Sequence, residues 1–341
     1  QSPASPRRGS EVILDKFFFV GAVSGLIGGV IIGAHMWLML NGQMPISKNY
    51  LELRSLHAFV QSYLFFGLFI LGFLLQTAPK ILKVRTRASP LALIGIPLLI
   101  CGALLEVYTP GGMGRWFLAT VFFSAMCFVT LLTCKGERAF RENYAWWVIL
   151  SLGGLTLSPF LPVTRVDNAH LFLWAGVVPV TFATGQQFIF AFLGGKRLAE
   201  STNRIIFFLY LGALCAFFSA RTFDNTFCWQ LAGGLSFVTL ALYIAATRAF
   251  LAAKKMHKDP LAFGFISGYC WALLASSIIC LRGEALLDSA LHLLVLGWLT
   301  PLIIAVSSQV LRAISGGFIL SPSTVLFLII IWQAVPIGRG F

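Results

Sequence analysis

Residues 56–80 read LHAFVQSYLFFGLFILGFLLQTAPK. About 20 apolar residues in helical form cross the roughly 30 Å hydrocarbon core of a bilayer. The run lacks the strict polar/apolar alternation of a strand in an outer-membrane barrel. It therefore predicts a membrane-spanning α-helix with a histidine, His57, close to its start.

Similar apolar runs recur along the whole chain. Hydrophobic residues are 58% of the sequence, charged residues are 11%, and the mean hydropathy is +0.87. A soluble domain carries about a quarter charged residues. We therefore predict an all-α polytopic transmembrane helix bundle. The eleven predicted spans are 17–40, 55–79, 90–107, 116–134, 144–162, 167–193, 204–220, 228–250, 260–281, 288–311 and 322–338.

Three of these spans open with a histidine, and the residues that follow two of them match closely. His170 and His292 are each followed at the same spacings by a proline, a small residue and a glutamine, namely Pro179, Gly185 and Gln187, and Pro301, Ser307 and Gln309. The copy that starts at His57 is looser. Such a pattern predicts a repeat four helices long.

The repeat also predicts the domain organisation. We place the repeats at 17–134, 144–250 and 260–341, after a disordered cytoplasmic tail at 1–16 that is rich in Ser, Pro and Arg. Three four-helix repeats require twelve helices. We therefore expect that the third repeat lacks its last helix and that a twelfth helix follows residue 341.

Basic residues predict the orientation of the chain in the membrane. Of the 25 Lys and Arg residues, 18 fall on the side of the N-terminus. The side richer in Lys and Arg is normally cytoplasmic, so the N-terminus is predicted to be cytoplasmic. The positive charge does not indicate a nucleic-acid partner, because it is spread over six short segments rather than one basic face.

This orientation places four histidines at a similar depth near the outer membrane face: His35, His57, His170 and His292. Repetition in depth and register favours a shared role, and we predict these four as metal ligands. The alternative, that each histidine is an interfacial or packing residue, remains open at this point.

Two of the histidines follow a carboxylate by about one helical turn. Asp167 precedes His170 by three residues, and Asp288 precedes His292 by four. A carboxylate that accepts the ring N–H fixes the tautomer and directs the other nitrogen to a metal. We therefore predict that both aspartates support the histidine ligands.

The outer loops carry arginines close to acidic residues. Arg54 follows Glu52, and Arg282 precedes Glu284 and Asp288. Two explanations fit this arrangement, namely interfacial ion pairing and a clamp on haem propionates or another anionic ligand. Within the spans, the helix 1 glycines are predicted to allow close helix contact, and four glutamines are predicted to lie deep: Gln76, Gln186, Gln187 and Gln309.

Two segments, Leu56–Lys80 and Ala290–Gly316, resemble the histidine helices of the NnrS family. NnrS proteins are twelve-helix proteins of the bacterial inner (cytoplasmic) membrane that hold haem and copper and are associated with nitric oxide tolerance and denitrification. Their layout is similar to that of the haem-copper oxidase catalytic subunit. The resemblance implies that His57 and His292 are axial ligands of haem b, and that His170 ligates copper or a second haem.

The chain also departs from these patterns. Residues 57–61 read HAFVQ where the family usually has a sequence close to HAHEM. The span 288–311 has one histidine where oxidases carry two, and the span 204–220 has none. A three-histidine copper site of the oxidase type cannot be built, which argues against oxygen reduction.

The sequence therefore supports three functional hypotheses. The first is a haem protein of the lipid bilayer that acts in nitric oxide or respiratory stress handling, in a redox or non-catalytic role, with a membrane subunit or a periplasmic electron carrier as partner. The second is a cofactor-free assembly subunit of a larger respiratory or metalloenzyme complex. The third is a transporter, which is weaker because secondary transporters commonly have inverted repeats.

Overall fold

The computed structural model describes residues 9–84, 91–136, 138–160, 169–315 and 320–336. These residues form eleven long helices and no strand, as predicted. Their bounds are α1 (9–40), α2 (Tyr50–Ile81), α3 (Leu91–Tyr108), α4 (Gly114–Lys135), α5 (Arg138–Leu157), α6 (Ala169–Phe192), α7 (Glu200–Phe223), α8 (Thr226–Thr247), α9 (Pro260–Arg282), α10 (287–315) and α11 (Pro322–Trp332). A helix bonds all its backbone groups within one segment, as hydrocarbon requires.

Seven helical stretches in the described residues are long and apolar enough to cross a membrane, and Pro260–Gln309 contains two of the eleven helices. Three shorter apolar helices coincide with the remaining predicted spans. The predicted tail at 1–16 is too long, because α1 begins at Gly9. Residues 10–20 contain no proline and no glycine, so no helix-breaking residue separates Gly9 from the predicted start of the span. Residues 1–8 lie outside the described part of the chain.

Four of the described helices contain a π-helical segment: Gly25–Ile31 in α1, Val60–Phe66 in α2, Phe172–Val177 in α6 and Leu293–Leu299 in α10. Such segments are rare and occur often at functional sites. In α2, α6 and α10 the segment begins three, two and one residues after the repeated histidine. The histidine repeat is therefore also a repeat in backbone geometry.

The chain divides into two compact units, Gln1–Ala183 and Thr184–Phe341. The division falls within α6, and the three four-helix repeats stay a prediction. In the first unit, α1 and α2 approach closely through glycine. An ideal Cβ would lie 2.2 Å from Val60 Cγ1 if placed on Gly28, and 2.6 Å from Phe65 Cδ2 if placed on Gly25. The predicted close contact of the helix 1 glycines is confirmed.

Aromatic contacts connect the π-helical segments of α2 and α6 within the first unit. The buried rings of Tyr63 and Phe172 have centroids 4.7 Å apart. The Tyr63 hydroxyl is hydrogen-bonded to Ser158 Oγ at 2.8 Å, just after α5. The π-helical segments of α1, α2 and α6 thus lie side by side, since that of α1 packs on that of α2.

In the second unit, α7, α8 and α9 pack in sequence, and polar caps define where two of them begin. Asn225 Oδ1 accepts from Phe227 N at 2.9 Å at the start of α8, and Asp259 Oδ1 accepts from Leu261 N at 2.9 Å at the start of α9. Such caps satisfy backbone N–H groups that have no helical partner. Each cap thus fixes the residue at which its helix begins.

The contact between α9 and α10 depends on glycines that face tryptophans. An ideal Cβ on Gly297 would lie 2.5 Å from Trp271 Cγ, and one on Gly268 would lie 2.8 Å from Trp298 Cδ1. Both indole rings therefore occupy space that only glycine leaves open. This contact fixes the π-helical segment of α10 against α9.

Candidate functional site

His57 lies near the start of α2 and is half-buried against α1. Its Nδ1 is 2.6 Å from the carbonyl oxygen of Gly28. A carbonyl can only accept, so Nδ1 carries the hydrogen and donates it. The neutral ring then has its lone pair on Nε2, which is the arrangement of a histidine that binds a metal through Nε2.

The Gly28 carbonyl that accepts from His57 lies in the π-helical segment of α1. Backbone bonds span five residues in a π-helix and four in an α-helix, so the junction leaves a carbonyl without a helical N–H. Within this segment His57 donates to Gly28 O, and Gln61 Nε2 donates more weakly to Gly25 O at 3.3 Å. Glycine at position 33 permits the approach, because a Cβ there would lie 3.2 Å from His57 Cε1.

His292 has the same tautomer through a different partner. Its Nδ1 is 2.7 Å from the backbone carbonyl of Asp288, one turn earlier in the same helix. The Asp288 carboxylate lies farther away, at 3.5 Å, and its side chain is 63% exposed. Asp288 therefore fixes the tautomer mainly through its backbone and not, as the sequence suggested, through its carboxylate.

His170 is half-buried at the start of α6, directly before the π-helical segment Phe172–Val177. The carbonyl of Gly176 in that segment accepts a hydrogen bond from Ser151 Oγ of α5. Asp167, predicted to support His170, lies outside the described residues. The structure thus gives His170 the same backbone setting as His57 and His292.

Two side chains, one on α11 and one on α10 itself, donate to carbonyls of the π-helical segment of α10. Trp332 Nε1 donates to Leu296 O at 2.9 Å, and Thr300 Oγ1 donates to Val295 O at 2.8 Å. Side chains on α2, α5, α10 and α11 thus donate to carbonyls of the π-helical segments in α1, α6 and α10. The sequence did not predict these π-helical segments. The one feature of the sequence that could have indicated them is the repeated histidine that precedes three of them.

The other predicted site residues occupy different surroundings. His35 is half-buried on α1, two residues after Gly33, which faces His57. Arg54 is half-buried on α2, one turn before His57. Arg282 is exposed at the end of α9. Glu284, which the sequence placed beside Arg282, instead accepts from Arg221 Nη1 at 2.7 Å.

The predicted deep glutamines are buried to different degrees. Gln76 and Gln186 are 6% and 1% exposed, whereas Gln187 and Gln309 are half-buried. Within the described ranges, no three His, Cys, Asp or Glu side chains come together as a metal cluster. The candidate ligands are therefore single histidines, each with a fixed tautomer or a π-helical neighbour. Such a donor set suits a group like haem, which needs only one or two protein ligands.

These features define a polytopic helical membrane protein with histidines placed at π-helical segments. The family described as NnrS protein matches residues 16–341, and the chain belongs to this family. The family assignment made from the two histidine helices is confirmed. No curated protein matches the chain.

Proposed function

We propose that this chain is an integral membrane haem protein that acts in nitric oxide or respiratory stress handling. The observation that carries the proposal is the shared tautomer of His57 and His292, both of which donate from Nδ1 to a backbone carbonyl. That tautomer directs Nε2 to a ligand. Family membership supports the same role, because it covers nearly the whole chain.

The proposal assigns roles to the residues singled out above. His57 and His292 would hold the haem iron, and His170 and His35 would be the candidates for holding copper or a second haem. Arg54 and Arg282 are the candidates for pairing with propionates, because a guanidinium binds a carboxylate with two parallel hydrogen bonds. Asp288 orients His292. The N-terminus is cytoplasmic, which places the histidines near the outer face of the inner membrane.

Haem iron supplies one-electron redox chemistry and reversible binding of nitric oxide. The protein contributes orientation and burial. The Gly28 and Asp288 carbonyls hold two imidazoles in one tautomer. Ligation by two histidines favours electron transfer, whereas one histidine leaves a position for nitric oxide.

The reduced-minus-oxidised visible spectrum of the purified protein tests the proposal. We expect a b-type haem band in the wild type, with haem content lost or sharply reduced in His57→Ala and in His292→Ala. His257→Ala is the matched control, because His257 is an exposed histidine outside the spans. A spectral shift on adding nitric oxide supports an open position.

Two results would count against this assignment. Well-folded wild type that contains no haem, even after expression with added haem, would favour the assembly-subunit hypothesis. Full haem content in both variants would show that other residues ligate the iron. Helical content from circular dichroism distinguishes either result from misfolding.

A further inference from the structure

One end of the second unit carries six exposed basic residues on two neighbouring segments. We name them the basic surface: Lys196, Arg197, Arg248, Lys254, Lys255 and Lys258. They lie in the connection from α6 to α7 and in the segment between α8 and α9. The two segments are in direct contact, because Lys196 N donates to Thr247 O at 2.7 Å. The six charges therefore belong to one region.

The backbone holds this region in place. Arg248 ends α8 in the left-handed conformation, with φ 55°, and the chain turns into a 3-10 helix, Ala249–Lys255. Ala249 and Ala252 are buried against the bundle, at 1% and 0% exposure, while the lysines point outward. The two buried alanines thus fix the position of the segment that carries the basic side chains.

The acidic residues of the region are engaged elsewhere. Asp259 caps α9, and Glu200 pairs with Arg204 one turn later in α7. Within the described residues, Lys254, Lys255 and Lys258 form no ion pair. The region therefore keeps a net positive charge.

Exposed aromatic rings border the basic surface. Phe190, Phe192 and Phe250 are 43%, 53% and 53% exposed. The Arg197 guanidinium lies over the Phe190 ring, 4.3 Å from its centroid. Because α6 and α8 end here, the rings lie where apolar helices give way to polar connections, and Arg and Lys side chains at the ends of membrane helices extend toward charge outside the hydrocarbon.

We propose that the basic surface binds the headgroups of anionic phospholipids. A clustered positive charge directly above exposed phenylalanines matches a molecule with a negative headgroup and apolar chains. The interaction is electrostatic in part and weakens as salt increases. It does not depend on haem, so its test is separate from that of the proposed function.

The test is native mass spectrometry of the full chain in a nonionic detergent, titrated with dioleoyl phosphatidylglycerol and, separately, with dioleoyl phosphatidylcholine. We expect preferential retention of phosphatidylglycerol. Lys254→Gln/Lys255→Gln/Lys258→Gln should weaken its binding at least tenfold, since each basic residue near a membrane surface contributes roughly fivefold. Phosphatidylcholine binding should not change.

A matched control removes the same charge elsewhere. Lys16, Lys80 and Lys135 are exposed lysines in the first unit, and their triple Gln variant should retain phosphatidylglycerol as the wild type does. Arg248→Gly serves as an independent variant, because glycine accepts the positive φ while one charge is lost. It should bind the lipid roughly fivefold more weakly without loss of thermal stability.

Three results would overturn the proposal. One is equal loss of binding in the two triple variants, which would indicate dependence on total charge. Another is unchanged binding in both the 254/255/258 variant and Arg248→Gly. The third is displacement of the lipid by millimolar inorganic phosphate, which would assign the surface to a soluble anion.

Discussion

His57 donates to a carbonyl of a different helix, whereas His292 donates to a carbonyl of its own helix. Both arrangements give the same tautomer beside a π-helical segment. The first depends on α1 remaining within hydrogen-bonding distance of α2, and the second depends only on the first turn of α10. The two histidines thus share a tautomer, but only that of His57 depends on the packing of two helices. Mutations that disturb helix packing should reveal this difference.

The largest expected effect comes from Gly28→Ala. The new Cβ would lie 2.2 Å from Val60 Cγ1, and the stiff β-branched side chain cannot move aside easily. Overpacking of this kind costs about 1–3 kcal/mol. We expect a lower thermal midpoint in detergent and loss of the Nδ1–H tautomer of His57, measured by ¹⁵N NMR of histidine-labelled protein.

The matched variant on the other helix is Gly297→Ala. It also overpacks, with Cβ 2.5 Å from Trp271 Cγ, but it leaves the Asp288 carbonyl within the same helix as His292. Stability should fall by a similar amount, while the His292 ring signals stay in place. Equal loss of tautomer in both variants would contradict the distinction between the two histidines.

Much of the fold follows from the sequence, because span length and apolar composition are local properties. The eleven helices and the histidine register were predictable for that reason. The π-helical segments were not, since side chains of other helices donate to carbonyls within them, as Ser151 does to Gly176. No residue preference visible in the sequence encodes such a partner.

The histidine partners show the same limit. Sequence spacing identified Asp288 as the neighbour of His292, but it could not distinguish the carboxylate from the backbone carbonyl of the same residue. For His57, the acceptor lies 29 residues away on another helix. Spacing within one helix reveals neighbours on that helix only, so Gly28 was predicted as a packing residue and not as a hydrogen-bond partner.

Trp332→Phe should have the next largest effect. It keeps the aromatic packing but removes the donor to Leu296 O in the π-helical segment of α10. The lost hydrogen bond costs about 0.5–1.5 kcal/mol. We expect a moderate fall in thermal midpoint with the His292 tautomer retained, since that bond is made one turn earlier. A changed tautomer would mean that α11 also controls His292.

Gly33→Ala should have a smaller effect, confined to His57. Its Cβ would lie 3.2 Å from His57 Cε1, so the ring must shift by a few tenths of an ångström. We expect destabilisation no larger than the low end of the about 1–3 kcal/mol that overpacking costs, and a shifted His57 ring signal. Gly21→Ala is the control, because its Cβ meets Phe69 on the same pair of helices, away from the histidine. If Gly21→Ala shifted the His57 ring signal as much as Gly33→Ala does, the contact between residue 33 and His57 would not be the cause.

Asp288→Asn should have the smallest effect. The carboxylate is exposed and 3.5 Å from His292 Nδ1, and exposed ion pairs contribute about 0–1 kcal/mol. The backbone carbonyl remains, so the His292 tautomer should persist and stability should change little. Loss of the tautomer in the NMR spectrum would restore the carboxylate as the main partner.

The π-helical segments also alter the angular phase of the helices that contain them. A turn with an extra residue rotates everything that follows it about the helix axis. Gln187 and Gln309 lie beyond such turns in α6 and α10. A helical wheel drawn from His170 or His292 with an uninterrupted α-helical period therefore assigns these glutamines to the wrong face. When related sequences are compared, a new helical wheel should be drawn for the residues that follow each π-helical segment.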